Sequence, residues 1–397
     1  MTIRILHVDL DAFFVEVCRQ QQPALRDVEL LVVGGRRESR GVVQSASYGA
    51  RRFGVRSGMP IGQAARLCPD ATFVRGDFSH YRTASAAVRA VLEQHAPMAV
   101  MTGLDEGYLD FSGTDLLHPV SLLNVATTIR GAVHAATGLD CSIGIGSNRM
   151  IAKIASDYAK PRGICEVRDG WEGGFIAGLP LSALPGIGPK TATKLRDLGL
   201  ENVAQVQQMQ FDALAQLVGR DEAAGLASRA AGKGGMTVRP QGPPKSVSRE
   251  TTFNRDVADP GQLDRTLLML TARMAGQLRD EGLVAGALVL KLRHGDFVTV
   301  TRRKALATPT AFDVELLDVA RALLAPAFSA ARARQQGVRL LGVAATNLAP
   351  AEAPDLFEST DRGKQRDVVR AVDAVRARYG FDSLQSGGLV RPPGPED

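Results

Sequence analysis

The chain has 397 residues, 45% of them hydrophobic and 23% charged, which is the make-up of a folded protein of two to four domains at about 150 residues each. These proportions leave disorder as the expectation only for the last stretch, and no run of 18 apolar residues marks a membrane helix. The net charge of +6 favours an anionic partner only weakly, but 15 basic and 10 acidic residues from Lys245 to Arg339 place a net +5 in one late segment.

Residues 3–10 read as a buried strand that starts without a basic, apolar leader, so neither secretion nor membrane insertion is expected. Asp11 is the expected N-cap of a helix from Ala12 to about Gln20. Val28–Val33 and Gly41–Val43 flank the polar turn 34–40 and suggest a small strand pair. Strands follow at Met98–Met101, Tyr108–Phe111 and Asp140–Ile145, with helices at 121–136 and 149–160. Residues 1–165 thus predict a mixed sheet with helices on one side, an α+β arrangement.

From Leu179 short helices and glycine turns predict a small helical unit ending near Gly235, centred on Pro185-Gly186-Ile187-Gly188. The stretch Arg239–Pro244 combines Pro and Gly without periodicity and reads as a linker. Beyond it, Ser246–Phe253, a helix at 260–280, the pair Ala287–Arg293 and Phe297–Arg303, a helix at 311–325 and Gly337–Ala344 spell a βαββαβ-like unit. Arg366–Tyr379 has the pattern of one more helix. Cys18, Cys68, Cys141 and Cys165 form no CxxC pair or zinc spacing, and are expected to be reduced and buried in a cytoplasmic protein.

Asp9 ends the first strand, and Asp105-Glu106 lie at the turn beside another. If those strands are neighbours, three carboxylates converge, and oxygen ligands of this kind suit two Mg²⁺ ions that keep positions for phosphate and water. Taken one at a time, each acid reads equally as a cap or turn residue. Asp11 invites a DxD reading, but a cap role explains it without making it a ligand.

Four segments carry a resemblance: His7–Phe14, Ser47–Pro60, Leu104–Asp110 and Ala152–Pro161. In sequence and order they resemble the signature motifs of the Y-family translesion DNA polymerases, in the DinB or polymerase IV branch. The resemblance implies a right-hand fold: palm at 1–10 and 78–166, fingers at 11–77 and a helix-hairpin-helix thumb at 167–236. A linker at 237–244, a little finger at 245–345 and a tail at 346–397 complete it. It implies error-prone template-directed synthesis in DNA repair, without proofreading, by two-metal transfer from dNTP to a primer 3′-hydroxyl. Mg²⁺ is the implied cofactor, with Mn²⁺ as a substitute.

Carried over by position, Asp9, Asp105 and Glu106 are the implied catalytic metal ligands, joined by the carbonyl of Leu10. Phe13, Phe14, Tyr48, Arg51 and Lys160 are the implied nucleotide contacts, with Phe14 as the steric gate against ribose. An arginine fork and a lysine charge suit a triphosphate of about four charges. Where the family has serine and an aliphatic residue before the acidic pair and alanine after it, this chain has Gly103-Leu104 and Gly107, which adds backbone freedom to that turn.

Gly186, Gly188 and Lys190 are expected to meet a DNA phosphate at a helix start. Lys245, Arg249, Lys291, Arg293, Arg302 and Arg303 are expected to follow the DNA backbone, with Lys304 beside them. Asp355-Leu356-Phe357 resembles a sliding-clamp peptide, although Ala353 stands where glutamine is usual, and a segment that folds back onto its own protein is the alternative. Primer-template DNA, dNTP and a clamp are the expected partners, with a monomeric enzyme and no membrane. A catalytically inactive DNA-binding accessory protein is the alternative; it requires loss of one of the three acids, and all are present. A nucleotide cyclase would leave the hairpin and the basic segment without a role.

Overall fold

The computed structural model describes residues 4–114, 121–240, 242–333, 336–351, 360–384 and 387, and the chain divides into two compact units at 241/242. In the first unit the strand β1 (Ile5–Leu10) is buried along its whole length. Helix α1 (Phe13–Gln21) follows and buries Phe13, Val15, Val17 and Cys18 in the same core as Leu6, Val8 and Leu10.

The strand pair expected from 28–33 and 41–43 does not form. Instead β2 (Leu31–Val33) pairs antiparallel with β3 (Ser45–Ala46) and parallel with β4 (Thr72–Val74). Val42 makes only an isolated bridge, to Pro60. Helices α2 (Tyr48–Arg52) and α3 (Ile61–Leu67) close a separate small core around Val32, Val43, Ala50 and Ile61. Val43 is held there by its side chain, so the apolar run signalled burial and not pairing.

The large sheet adds α4 (Phe78–His95), β5 (Met98–Met101), β6 (Glu106–Asp110), α5 (Leu122–Thr137), β7 (Cys141–Gly146), α6 (Arg149–Tyr158) and β8 (Ile164–Glu166). Its strand order is β5-β6-β1-β7-β8, antiparallel except for β7 with β8. Helices cover both faces, not one. Leu6, Val8 and Leu10 join Val88, Leu92, Ile129 and Val133 of α4 and α5, while Ile5 packs with Ala152 of α6 and His7 bonds Ser156 of α6. The strand is buried as expected, and that burial includes its polar residues His7 and Asp9.

Helix α6 lies directly on the sheet because β7 offers it glycine. A Cβ at Gly144 would come 2.0 Å from the Ala152 carbonyl oxygen and 2.2 Å from the Ser156 nitrogen. The Asn148 cap, which accepts from Ile151 N–H, fixes where the ten-residue helix α6 begins along the sheet.

Helices α7 (Glu172–Ala177), α8 (Pro189–Asp197), α9 (Val203–Gln208), α10 (Phe211–Val218) and α11 (Arg220–Ala230) share a core that includes Ile176, Leu195, Val203 and Leu226. Gly186 turns into α8 at φ +90°, a conformation that favours glycine. The segment expected to start a linker at 237 is still packed: Val238 is buried with Ile5, Tyr108 and Ala152.

The second unit runs β9 (Ser246–Val257), α12 (Pro260–Asp280), β10 (Leu283–His294), β11 (Thr299–Thr310), α13 (Asp313–Ala333) and β12 (Val338–Pro350), the βαββαβ order read from the sequence. The sheet order is β11-β10-β12-β9. Helix α13 continues through Pro326, where the sequence suggested a stop. A proline removes one helical bond, and here core contacts of Leu316, Ala320, Leu324 and Ala327 outweigh that cost. Helix α14 (Thr360–Tyr379) is tied back onto this unit: Arg279 donates from Nε and Nη2 to Asp373 at 2.6 and 2.9 Å and from Nη1 to Asp313 at 2.8 Å. Asp355, Leu356 and Phe357 lie outside the described residues.

The contact at Gly144 yields a stability prediction. Gly144→Ala should destabilise the protein by about 3 kcal/mol, the upper end for overpacking, because two backbone segments and no flexible side chain would have to move. Denaturant titration measures this, and an unchanged midpoint would contradict so close an approach of α6.

Candidate active site

Asp9 and Glu106 face each other in register across β1 and β6, and Ser142 of β7 stands opposite Asp9 on the other side. Asp105 sits in the turn before β6. Its carbonyl accepts from Leu10 N–H at 2.8 Å, which ties the end of β1 to the acidic turn. Thr102 N–H and Gly103 N–H both donate to the Glu106 carbonyl, at 3.0 and 3.3 Å. The turn is therefore fastened, not loosened by its glycines. At Gly107 a Cβ would meet Met101 Sδ at 2.9 Å and the Val100 carbonyl oxygen at 3.0 Å, so glycine there serves a close approach of β5.

Ammonium groups face these carboxylates. Lys160 Nζ lies 2.8 Å from Asp9 Oδ1 and 2.8 Å from Asp157 Oδ1, and Lys153 of α6 donates to Glu106 Oε2. Behind them His7 is buried, its Nδ1 2.7 Å from Ser156 Oγ and its Nε2 3.5 Å from Glu106 Oε2. Sequence reasoning missed Lys153, His7 and Ser156. The signal available was the seven-residue spacing from Lys153 to Lys160, two helical turns that place both near one edge.

Burial separates the acids. It pushes the Asp9 carboxyl up despite the opposing pull of Lys160, and it pushes Asp105 up with a further contribution from the Glu106 charge. Glu106 is held at about 2 by the His7 imidazole and, over a shorter contact, by the Lys153 ammonium, against the effect of burial. Burial opposes the charge of Lys160, but Asp9 and Asp157 outweigh it and raise the lysine.

Asp9, Asp105 and Glu106 offer carboxylate oxygens at this edge, donors that suit a hard divalent cation. As oriented, Asp9 and Glu106 serve lysines, and no group of three or more His, Cys, Asp or Glu side chains among the described residues is gathered closely enough to hold an ion. The donor chemistry fits Mg²⁺, provided that the carboxylates exchange an ammonium for it.

Asp11 is not the helix cap expected of it. Ala12, at φ 48°, occupies the cap position and no side chain bonds there. The Asp11 carboxylate, 5% exposed, instead accepts from Tyr48 Oη at 2.8 Å, from Ser142 Oγ at 3.1 Å and from Arg162 N–H at 2.8 Å. The left-handed turn at Ala12 swings Asp11 inward, which periodicity alone does not reveal.

Tyr48 thus commits its hydroxyl hydrogen to Asp11, and Arg51 lies over the Tyr48 ring at 4.9 Å with Nε donating to the Ala46 carbonyl at 2.9 Å. Phe13 is 2% exposed and its side chain packs in the core. Phe14 is half-buried and meets Tyr81 at 4.4 Å and Phe78 at 6.2 Å between ring centres.

The other expected contacts lie apart from this edge along the chain. Gly188 caps α8, with Pro189 and Lys190 at its first turn. In the second unit Lys291, Arg293 and Arg303 occupy alternate positions consistent with the outer sheet face, since Arg303 pairs with Val289. Arg302 pairs with the buried Leu290 and Arg249 with the buried Val343, so the pleat turns both toward the helix side of edge strands. The expected basic cluster is divided between two faces. Lys291 bonds Glu250 at 2.8 Å, and Lys245 is exposed just before β9.

Residues 8–157 match the impB/mucB/samB family, 244–356 its C-terminal domain, and 174–200 the HHH motif of the IMS family. A Y-family DNA polymerase chimera of Dbh and Dpo4 has a similar fold, with a TM-score of 0.74 at 24% identity over 87% of this chain and 99% of that one. Fold and motifs together define the multidomain α+β architecture of Y-family polymerases, with a helix-hairpin-helix element. DNA polymerase IV of Dehalococcoides mccartyi strain CBDB1 is 37% identical over 389 residues, 98% of each chain, and that of Caulobacter vibrioides 34% identical over 392 residues, 98% of this chain and 95% of the other. The chain belongs to the DNA polymerase IV branch of the Y-family and is a DNA-directed DNA polymerase that acts in translesion synthesis.

The Asp11 network predicts a structural role. Asp11→Ala, which leaves three buried or part-buried donors without their acceptor, should destabilise the protein by about 3 kcal/mol. Thermal and denaturant melting test it; a loss below about 0.5 kcal/mol, the range of an ordinary surface substitution, would contradict it.

Proposed function

We propose that this polymerase adds nucleotides from dNTPs to a primer 3′-hydroxyl on a DNA template at the edge formed by Asp9, Asp105 and Glu106, with low fidelity and without proofreading. The observation that carries this reading is the register of Asp9 opposite Glu106, with Asp105 bonded across to Leu10 and Lys160 beside Asp9. Asp9, Asp105, Glu106 and the Leu10 carbonyl are the groups that would hold two Mg²⁺ or Mn²⁺ ions, whose charge supplies activation of the primer hydroxyl and stabilisation of the departing pyrophosphate.

The chain's own residues divide the remaining work. Lys160 and Arg51 neutralise the triphosphate, and Tyr48 reaches it by giving up its bond to Asp11. Phe14 stands beneath the incoming sugar, braced by Tyr81 and Phe78, so that a ribose 2′-hydroxyl meets a ring instead of a partner. Residues 1–10 and 78–166 form the palm, 11–77 the fingers, 167–236 the thumb and 245–345 the little finger. Helix α1 of the fingers segment shares its core with the palm sheet.

DNA is held as a duplex by the α8 start and by Lys291, Arg293 and Arg303, where a phosphate competes with Glu250 for Lys291. A sliding clamp engages Asp355-Leu356-Phe357, and the enzyme works as a monomer. No described helix is long and apolar enough to cross a membrane.

Three outcomes follow. Asp105→Ala and Glu106→Ala should each abolish primer extension while primer-template affinity stays within a few-fold; turnover equal to wild type would remove these acids from the mechanism. Phe14→Ala should raise ribonucleotide incorporation relative to deoxynucleotide by on the order of 10²-fold, the scale of a few kcal/mol of discrimination. An unchanged ratio in single-nucleotide assays would place sugar selection elsewhere. Replacing Leu356 and Phe357 by alanine should weaken clamp stimulation and leave clamp-free extension unaltered; equal stimulation would refute the peptide's role.

A further inference from the structure

The geometry points to Lys153 as a resident counter-ion that holds Glu106 in place and must leave it before a divalent cation can bind there. This rests on the metal-ligand reading of Glu106 and adds a positioning residue that the motifs do not assign. Lys153 is midway along α6, and its ammonium donates to Glu106 Oε2, while Lys160, just past the end of the same helix, takes Asp9. The bare backbone at Gly144 and Gly146 lets α6 lie against the strand next to β1, and the Asn148 cap fixes the start of the helix. One helix thus delivers two ammonium groups to two carboxylates that face each other in register.

Two carboxylates at adjacent strand positions repel in a part-buried setting, and a cation on each offsets that repulsion in the free enzyme. A divalent ion arriving at Glu106 then exchanges for an ammonium instead of adding to bare charge. Its net gain is smaller in the free enzyme and larger once the triphosphate brings further negative charge. The arrangement makes tight metal binding depend on nucleotide. Lys160 is drawn to the triphosphate in the same step, whereas the direct ion pair of Lys153 is with Glu106.

The test is Mn²⁺ binding to the full-length protein without DNA or nucleotide, followed by the electron paramagnetic resonance of free Mn²⁺. Lys153→Met should bind Mn²⁺ about tenfold more tightly than wild type, the scale of one ion pair partly open to water. Lys153→Arg, which keeps the charge, should bind as weakly as wild type, and adding nucleotide should narrow the difference between Lys153→Met and wild type. A thermal melt checks that each variant is folded, and Lys153→Gln replaces the methionine variant if that one is not. Equal Mn²⁺ affinity in wild type and Lys153→Met, or a Lys153→Arg that behaves as Lys153→Met, overturns the role of Lys153 alone. The tightening should vanish when Glu106→Gln is added. If Mn²⁺ binding is indifferent to Glu106 in every background, both this role and the metal-ligand reading of Glu106 fail.

Discussion

The register of β1 against β6 is the constraint on which the rest of the molecule depends. Side chains alternate along a strand, so Leu6, Val8 and Leu10 enter the core of α4 and α5 while Ile5, His7 and Asp9 turn to the α6 side. A slip of one residue would drive Asp9 among Val88, Leu92, Ile129 and Val133 and bring the leucines out. The apolar core thereby sets the position of the first carboxylate. Pairing with β6 then places Glu106 opposite it, and the bond from Leu10 to Asp105 fixes the third acid.

Concentrating acids at a buried edge creates an electrostatic problem, and α6 supplies the answer. Its close approach over glycine brings Lys153 and Lys160 to Glu106 and Asp9 without long side-chain detours. Burial still favours protonation of Asp9 and Asp105, whereas His7 and Lys153 keep Glu106 ionised. The three acids are therefore unlike one another before any substrate arrives. Asp11, only two residues from Asp9, is spent on structure, holding Tyr48, Ser142 and the Arg162 backbone together.

Much of this was legible in the sequence wherever a local pattern carries the information. The first strand and the βαββαβ order of the second unit rest on short apolar runs and turns and formed close to where their patterns lay, whereas the acidic pair is split, with Asp105 in the turn and Glu106 opening β6. What the sequence hid depends on contacts between distant segments. A two-sided sheet could not be told from a one-sided one because the second face is covered by the distant helix α6, through Ala152 and Ser156. The left-handed Ala12 turned Asp11 from a cap into a hub, and core packing carried α13 through Pro326. The basic residues Arg302 and Arg303, adjacent in sequence, went to different faces because pleating separates neighbours. The motif from Ala152 to Pro161 contained Lys153, but only the fold gave that lysine a partner.

The central claim is that this carboxylate edge performs template-directed nucleotide addition, and single-turnover extension of a primed template measures it most directly. Purified full-length protein with Mg²⁺ is offered each dNTP separately on templates that differ only in the next base. The account predicts that the complementary nucleotide is added fastest on each template, that an excess of chelator stops the reaction, and that no 3′-terminal mismatch is excised. Addition indifferent to the template base, or undiminished by chelator, would contradict it.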